Sequence, residues 1–172
     1  MSNRASFFED FFRVLNQDGV RYIVVGGVAV VLHGHARFTA DIDLVVDLDP
    51  SEARLAIRSL TGMGLQPRVP VKAEAFADPE QRREWMERRG MMVFSLYDPD
   101  NPLRTVDLFV QSPIPFEELW SRSELISLPM GDVRVASLGD LIRMKETAGR
   151  PQDSADIRAL EALRDEQEND QD

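Results

Sequence analysis

The chain has 172 residues, no cysteine and a formal net charge of -10. That length suits one compact domain and little more, and the missing cysteine excludes a disulfide framework, thiolate zinc sites and a thiol nucleophile. The acid excess argues against broad binding to nucleic acid through a basic face, while leaving room for a local basic pocket.

No apolar run approaches the roughly 20 residues that span a bilayer, and the opening "MSNRASFFEDFF" lacks the pattern of a signal peptide. A cytoplasmic protein with no membrane partner is expected. In chain order, the aromatic spacing over residues 7–15 predicts an amphipathic helix stopped at "NQDG". "RYIVVGG" reads as a strand ending at paired glycines, and "VAVVLHG" as one or two helical turns stopped by Gly34. "ADIDLVVDL" alternates as a strand. Asp49, Pro50 and Glu52 then open a helix with a cap, a first-turn proline and a capping box.

A polar stretch over residues 66–90 holds a helix around "DPEQRREWMERRG", followed by strands "MMVFSLYD" and "RTVDLFV" joined at "PDNP". "FEELWSRS" is a short helix, and "ISLPMGDVRVAS" a hairpin turning at Met130, Gly131 and Asp132. Two helices close the domain, "LGDLIRMKETAG" with Ser137 as cap, and "DSADIRALEALRDE". The mixture predicts an α/β (α+β) fold with a mixed sheet flanked by helices, over residues 1–165. Residues 166–172 have almost no apolar content and are expected to be a disordered acidic tail.

The chemistry gathers on acids inside apolar strands. Residues two apart in a strand share a face, so Asp41 and Asp43 point together while Ile42 and Leu44 point to the core. Two adjacent carboxylates repel, and a hard divalent cation such as magnesium relieves that repulsion. Plain solvent exposure of one strand face is the competing explanation. Asp107 in "TVDLFV" has the same character and can supply a third carboxylate. Gly26 and Gly27 sit between strand and helix, where backbone amides can cradle a phosphate. Arg37 and Thr39 precede the acids and can contact anionic oxygens.

Gly26-Gly27, a short helix and Asp41-Ile42-Asp43-Leu44 together resemble the signature of the DNA polymerase β-like nucleotidyltransferase superfamily. "HGHARFTADIDL", "REWMERRGMMVFSLYDP", "VDLFV" and "LIRMKETAGRPQDSADIRAL" are similar to its minimal bacterial members, including the AbiEii-type toxin group. The resemblance implies a palm-like sheet, two magnesium ions (manganese being possible) on Asp41, Asp43 and Asp107, and a nucleoside triphosphate on Gly26 and Gly27. It also implies transfer of a nucleotide to an acceptor hydroxyl on RNA, protein or a small molecule, with a toxin-antitoxin partner encoded nearby as one setting. A catalytically silent nucleotide-binding or antitoxin-like module of the same fold is the alternative.

Lys145 takes an apolar slot on the stripe Leu138, Leu141, Ile142 and Ala148. It either snorkels to an edge or reaches the triphosphate or the carboxylate cluster, and Arg150 follows as a further phosphate contact. Asp153 reads as the partner that positions one of them. His33 and His35 read as packing or substrate contacts rather than metal ligands. Asp47 reads as solvated, and Arg82, Arg83, Arg88 and Arg89 as an exposed, salt-bridged face. Trp85 reads as a core anchor.

Overall fold

The protein is described by a computed structural model that covers the backbone of residues 4–171 and the side chains of residues 7–171. Helix α1 (Arg4–Gln17) buries Phe11, Phe12 and Leu15 and leads to strand β1 (Tyr22–Val25). Helix α2 (Gly26–Leu32) follows without a linker, and strand β2 (Asp41–Val46) returns antiparallel to β1. Helix α3 (Pro50–Gly62) starts where the Asp49 carboxylate accepts from the Ser51 amide, with Pro50 in the first turn. Strand β3 (Gln66–Pro67), a 3-10 turn (Ala73–Ala77) and helix α4 (Pro79–Arg89) fill the polar stretch.

Strands β4 (Val93–Asp98) and β5 (Asn101–Phe109) pair antiparallel. Helix α5 (Phe116–Arg122) and the hairpin β6 (Glu124–Leu128) and β7 (Gly131–Val135) follow. Helices α6 (Leu138–Ala148) and α7 (Asp153–Asp170) end the chain. Ser137 caps α6 by accepting from the Asp140 amide at 3.1 Å.

Among the described residues, seven strands form one sheet in the order β3-β4-β5-β2-β1-β7-β6. The pairs β2/β5 and β1/β7 are parallel and the others antiparallel, so the sheet is mixed and flanked by helices, as the sequence pattern predicts. Its centre has two unlike faces. Ile42, Leu44, Phe94, Leu96, Val106 and Leu108 are buried on one, and Trp85 of α4 stacks there on Phe94 at 5.1 Å with a 3° interplanar angle. The other face carries Asp41, Asp43, Thr105, Asp107, Ser95 and Tyr97 in adjacent strands.

Several local expectations are corrected. Arg82 is buried rather than exposed, since it lies one turn before Trp85 on the core side of α4. Its guanidinium donates to the Leu48 carbonyl at 3.2 Å and to the Phe76 carbonyl, and lies over the Phe76 ring. Those acceptors offset a desolvation that lowers its pKa. Asp47 is not simply solvated: it pairs with Arg21 at 2.5 Å, where β1 begins and β2 ends. The β6/β7 hairpin turns on Pro129 and Met130, because Leu128 already pairs with Gly131. Helix α7 continues through the acidic residues 166–170 instead of ending before them. Glu and Gln are good helix formers, and the buried Leu160 anchors the preceding turns.

Candidate active site

Parallel pairing of β2 with β5 sets Asp43 directly opposite Asp107, and Asp41 opposite Thr105. Antiparallel pairing of β4 with β5 then adds Ser95 beside Asp107 and Tyr97 beside Thr105. Two rows cross three strands on one face: Asp43, Asp107, Ser95, and next to it Asp41, Thr105, Tyr97. The Ser95 hydroxyl donates to Asp107 Oδ1 at 2.5 Å, which fixes that carboxylate.

On the other side of β2, Val25 pairs with Asp43, so the chain enters α2 against that carboxylate. Gly26 has φ +67, and a Cβ there would run into the Asp43 side chain. At Gly27 a Cβ would come within 2.7 Å of the Thr39 hydroxyl and 3.6 Å of Arg37 Cζ. Gly26 is therefore required for backbone conformation and close approach, and Gly27 for close approach alone. Thr39 donates to the Asp41 carbonyl at 3.3 Å, holding the loop before β2 against this corner.

Electrostatics mark the same place. Burial, with the charges of Asp107 and Asp41, pushes the Asp43 carboxyl up to about 7, although Lys145 and Arg150 pull against that rise. Asp41 is raised by burial and by Asp107, and Arg68 opposes the shift. Three carboxylates are thus held together at a cost that two flanking sets of cations only partly offset. Among the described residues, no three His, Cys, Asp or Glu side chains are drawn into a ready metal cage. The set still fits a hard divalent cation in donor chemistry: it is all oxygen, anionic, and short of positive charge.

The cations on the helix side form a network. Lys145 is nearly buried, 3.0 Å from Asp156 Oδ2 and 3.4 Å from Asp153 Oδ1. Arg150 grips both oxygens of Asp153 at 2.9 and 3.1 Å. Although burial pushes the Asp153 carboxyl up, Arg150 and Lys145 outweigh it and hold the group below the usual carboxylate range. Arg37 pairs with Asp156, tying the loop beside Gly27 to α7. Lys145, Arg150 and Arg37 thus do not touch the Asp41, Asp43 and Asp107 carboxylates in the described contacts. Lys145 and Arg150 act on Asp43 through their fields. His33 is a packing residue, its Nε2 2.8 Å from the Ala136 carbonyl and its Nδ1 3.8 Å from Glu124.

Sequence reading misses four residues of this neighbourhood. Asp156 shares a helix face with Asp153, a spacing that could have flagged it. Ser95, Thr105 and Arg68 depend on strand register, which no local pattern supplies.

A family model described as "Nucleotidyltransferase of unknown function (DUF6036)" matches residues 8–167. Among solved structures, the lincomycin-bound lincosamide antibiotic adenylyltransferase is similar at 16% identity and TM-score 0.61, covering 94% of this chain and 98% of that one. The antibiotic-resistance factor ANT(2'')-Ia, in complex with adenylyl-2''-tobramycin, aligns at 12% identity and TM-score 0.59, over 99% and 100% of the two chains. A putative nucleotidyltransferase from Thermotoga maritima aligns at 14% identity and TM-score 0.57, over 91% and 93%. Among curated proteins, none matches the sequence.

Proposed function

The chain belongs to this nucleotidyltransferase family, and we propose that it moves a nucleoside monophosphate from a nucleoside triphosphate to an acceptor hydroxyl. The observation that carries this reading is the in-register meeting of Asp43 and Asp107 beside the Gly26 corner. Gly26 and Gly27 bring bare backbone to the triphosphate, with Thr39 alongside. Lys145 and Arg150 supply positive charge toward the departing pyrophosphate, and Arg37 completes that side. Asp41, Asp43 and Asp107 would hold magnesium, and a divalent ion there neutralises phosphate charge and favours the ionised acceptor oxygen.

The acceptor oxygen forms a bond to the α-phosphorus as the bond from that phosphorus to pyrophosphate breaks. Asp107 Oδ2 takes the hydroxyl proton, because Oδ1 is already occupied by Ser95. The rest of the chain holds and orients, which is the main demand of phosphoryl-group transfer. The similar antibiotic adenylyltransferases make a small hydroxylated molecule one acceptor class to test, beside RNA and protein.

Calorimetry with each nucleoside triphosphate and magnesium tests the donor half. Each labelled triphosphate is then incubated with total RNA, cell lysate and hydroxylated small molecules. Triphosphate binding without transfer to any acceptor would favour the silent binding module, and no binding at all would overturn the reading.

A further inference from the structure

The carboxylates have cations on two sides, and the two sides differ. On the α6/α7 side, Arg37, Lys145 and Arg150 are each paired with Asp153 or Asp156. On the β3/β4 side stands Arg68, which makes no ion pair at contact distance among the described residues and acts on Asp41 through its field, yet is not loose. Its Nη2 donates to the Pro102 carbonyl at 2.7 Å and to Thr105 Oγ1 at 2.8 Å, and its Cζ lies 5.0 Å from the Tyr97 ring centroid. Thr105 is the register partner of Asp41. Arg68 therefore roofs the row Asp41, Thr105, Tyr97 at the end away from the glycine corner. Leu103 extends the same strand face two residues before Thr105 and is 81% exposed.

We propose that Arg68, Thr105 and Tyr97 form the acceptor's anchoring site, and that the acceptor carries an anionic group, a phosphate ester or a carboxylate, near the hydroxyl it offers. This rests on the transfer reading above. Two substrates must meet at one set of carboxylates, and the glycine corner with its helices occupies the β1 side of β2. The second substrate then enters over β5 and β4, where Arg68 waits. A guanidinium already stacked and doubly bonded through Nη2 loses little freedom when it binds, and its Nε–H and Nη1 hydrogens remain to donate to a carboxylate or phosphate. An anion approaching three carboxylates on a chain of net charge -10 needs such a fixed positive group.

The test is residue-resolved NMR on the full chain without triphosphate, titrated with methyl phosphate and separately with acetate. The expected result is a saturable millimolar response at Arg68 Nε–H and the Tyr97 ring. A response to methyl phosphate points to a phosphate ester and one to acetate points to a carboxylate. In Arg68→Gln the Tyr97 and Thr105 responses weaken by about tenfold, as loss of a charge-assisted hydrogen bond requires. Arg68→Lys, which keeps the charge and loses the planar, stacked set of donors, falls between. Absence of saturation with both anions, or an undiminished Tyr97 response in Arg68→Gln, overturns the proposal. The Gly27 amide, followed in a separate titration with ATP and magnesium, reports on the donor half. If that signal fails to move while Arg68 responds, the transfer reading falls and the anion site stands.

Discussion

Asp43 and Asp107 face each other across adjacent parallel strands, although 64 positions apart by number, and the charge of Asp107 raises the cost of ionising Asp43. The wild-type protein free of metal therefore carries a pH-dependent burden at Asp43. Its folded pKa of about 7 lies above the 3.8 of the free group. Below pH 3.8 both states hold the proton and the group is neutral to stability. Between 3.8 and about 7 only the folded chain keeps it, so stability falls as pH rises, and levels off above that window. Asp43→Asn should remove this slope and stabilise the metal-free protein at pH 8 by an amount on the order of a few kcal/mol. Denaturant midpoints of wild type and variant, compared at pH 5 and pH 8, check it. A difference that does not grow with pH refutes the assignment.

Magnesium should act in the opposite sense. An ion that binds only the folded state adds stability of about 2.7 kcal/mol at a hundredfold excess over its dissociation constant. Thermal melts at pH 8 should rise with magnesium in the wild type and stay flat in Asp41→Asn and Asp43→Asn. Equal rises in all three would place the ion elsewhere.

Gly26 and Gly34 separate backbone conformation from crowding. Both have positive φ, +67 and +110, but only at Gly26 would a Cβ meet the Asp43 side chain, while Gly34 has nothing within 4 Å. Gly34→Ala should cost about 1–2 kcal/mol for the left-handed backbone alone. Gly26→Ala should cost about 1–3 kcal/mol more, from overpacking against Asp43, and should abolish triphosphate binding. Similar losses in the two variants would mean that the corner has room the structure does not show.

Much of the scaffold is legible locally because caps, glycine stops and alternation are local. Asp49 and Ser137 cap as their spacing predicts, and Trp85 anchors the core with 2% exposure. The carboxylates could be singled out one by one, since an acid in an apolar strand stands out. Their meeting could not be read locally, because parallel pairing of β2 with β5 is non-local. Register between β4 and β5 is hidden further by an irregularity at Tyr97 and Asp98, which shifts the pairing from that set by the turn. Ser95, Thr105 and Arg68 fall on the hidden side of that shift. Arg82 misleads for a different reason: its alternation with acids looks solvent-facing, while Trp85 draws its face into the core.

Asp156 is buried and is shared by Arg37 and Lys145. Asp156→Asn keeps the shape and removes the charge. Lys145 then retains only Asp153, already gripped by Arg150, and Arg37 loses the tie from the Gly27 loop to α7. Breaking a buried pair from one side leaves the other charge uncompensated, and about 3 kcal/mol of stability should be lost. Arg37→Ala should cost less, because its side chain is 34% exposed and water can reach the remaining carboxylate. The loop should also loosen: amide exchange over residues 35–40 should quicken in both variants, while α1, packed against α3 and β7, keeps its protection. Asp156→Glu, which restores the charge, should recover part of the stability and the slow exchange. If Asp156→Asn melts no lower than Arg37→Ala, Lys145 draws its compensation from Asp153 alone and Asp156 is not the hub of the network.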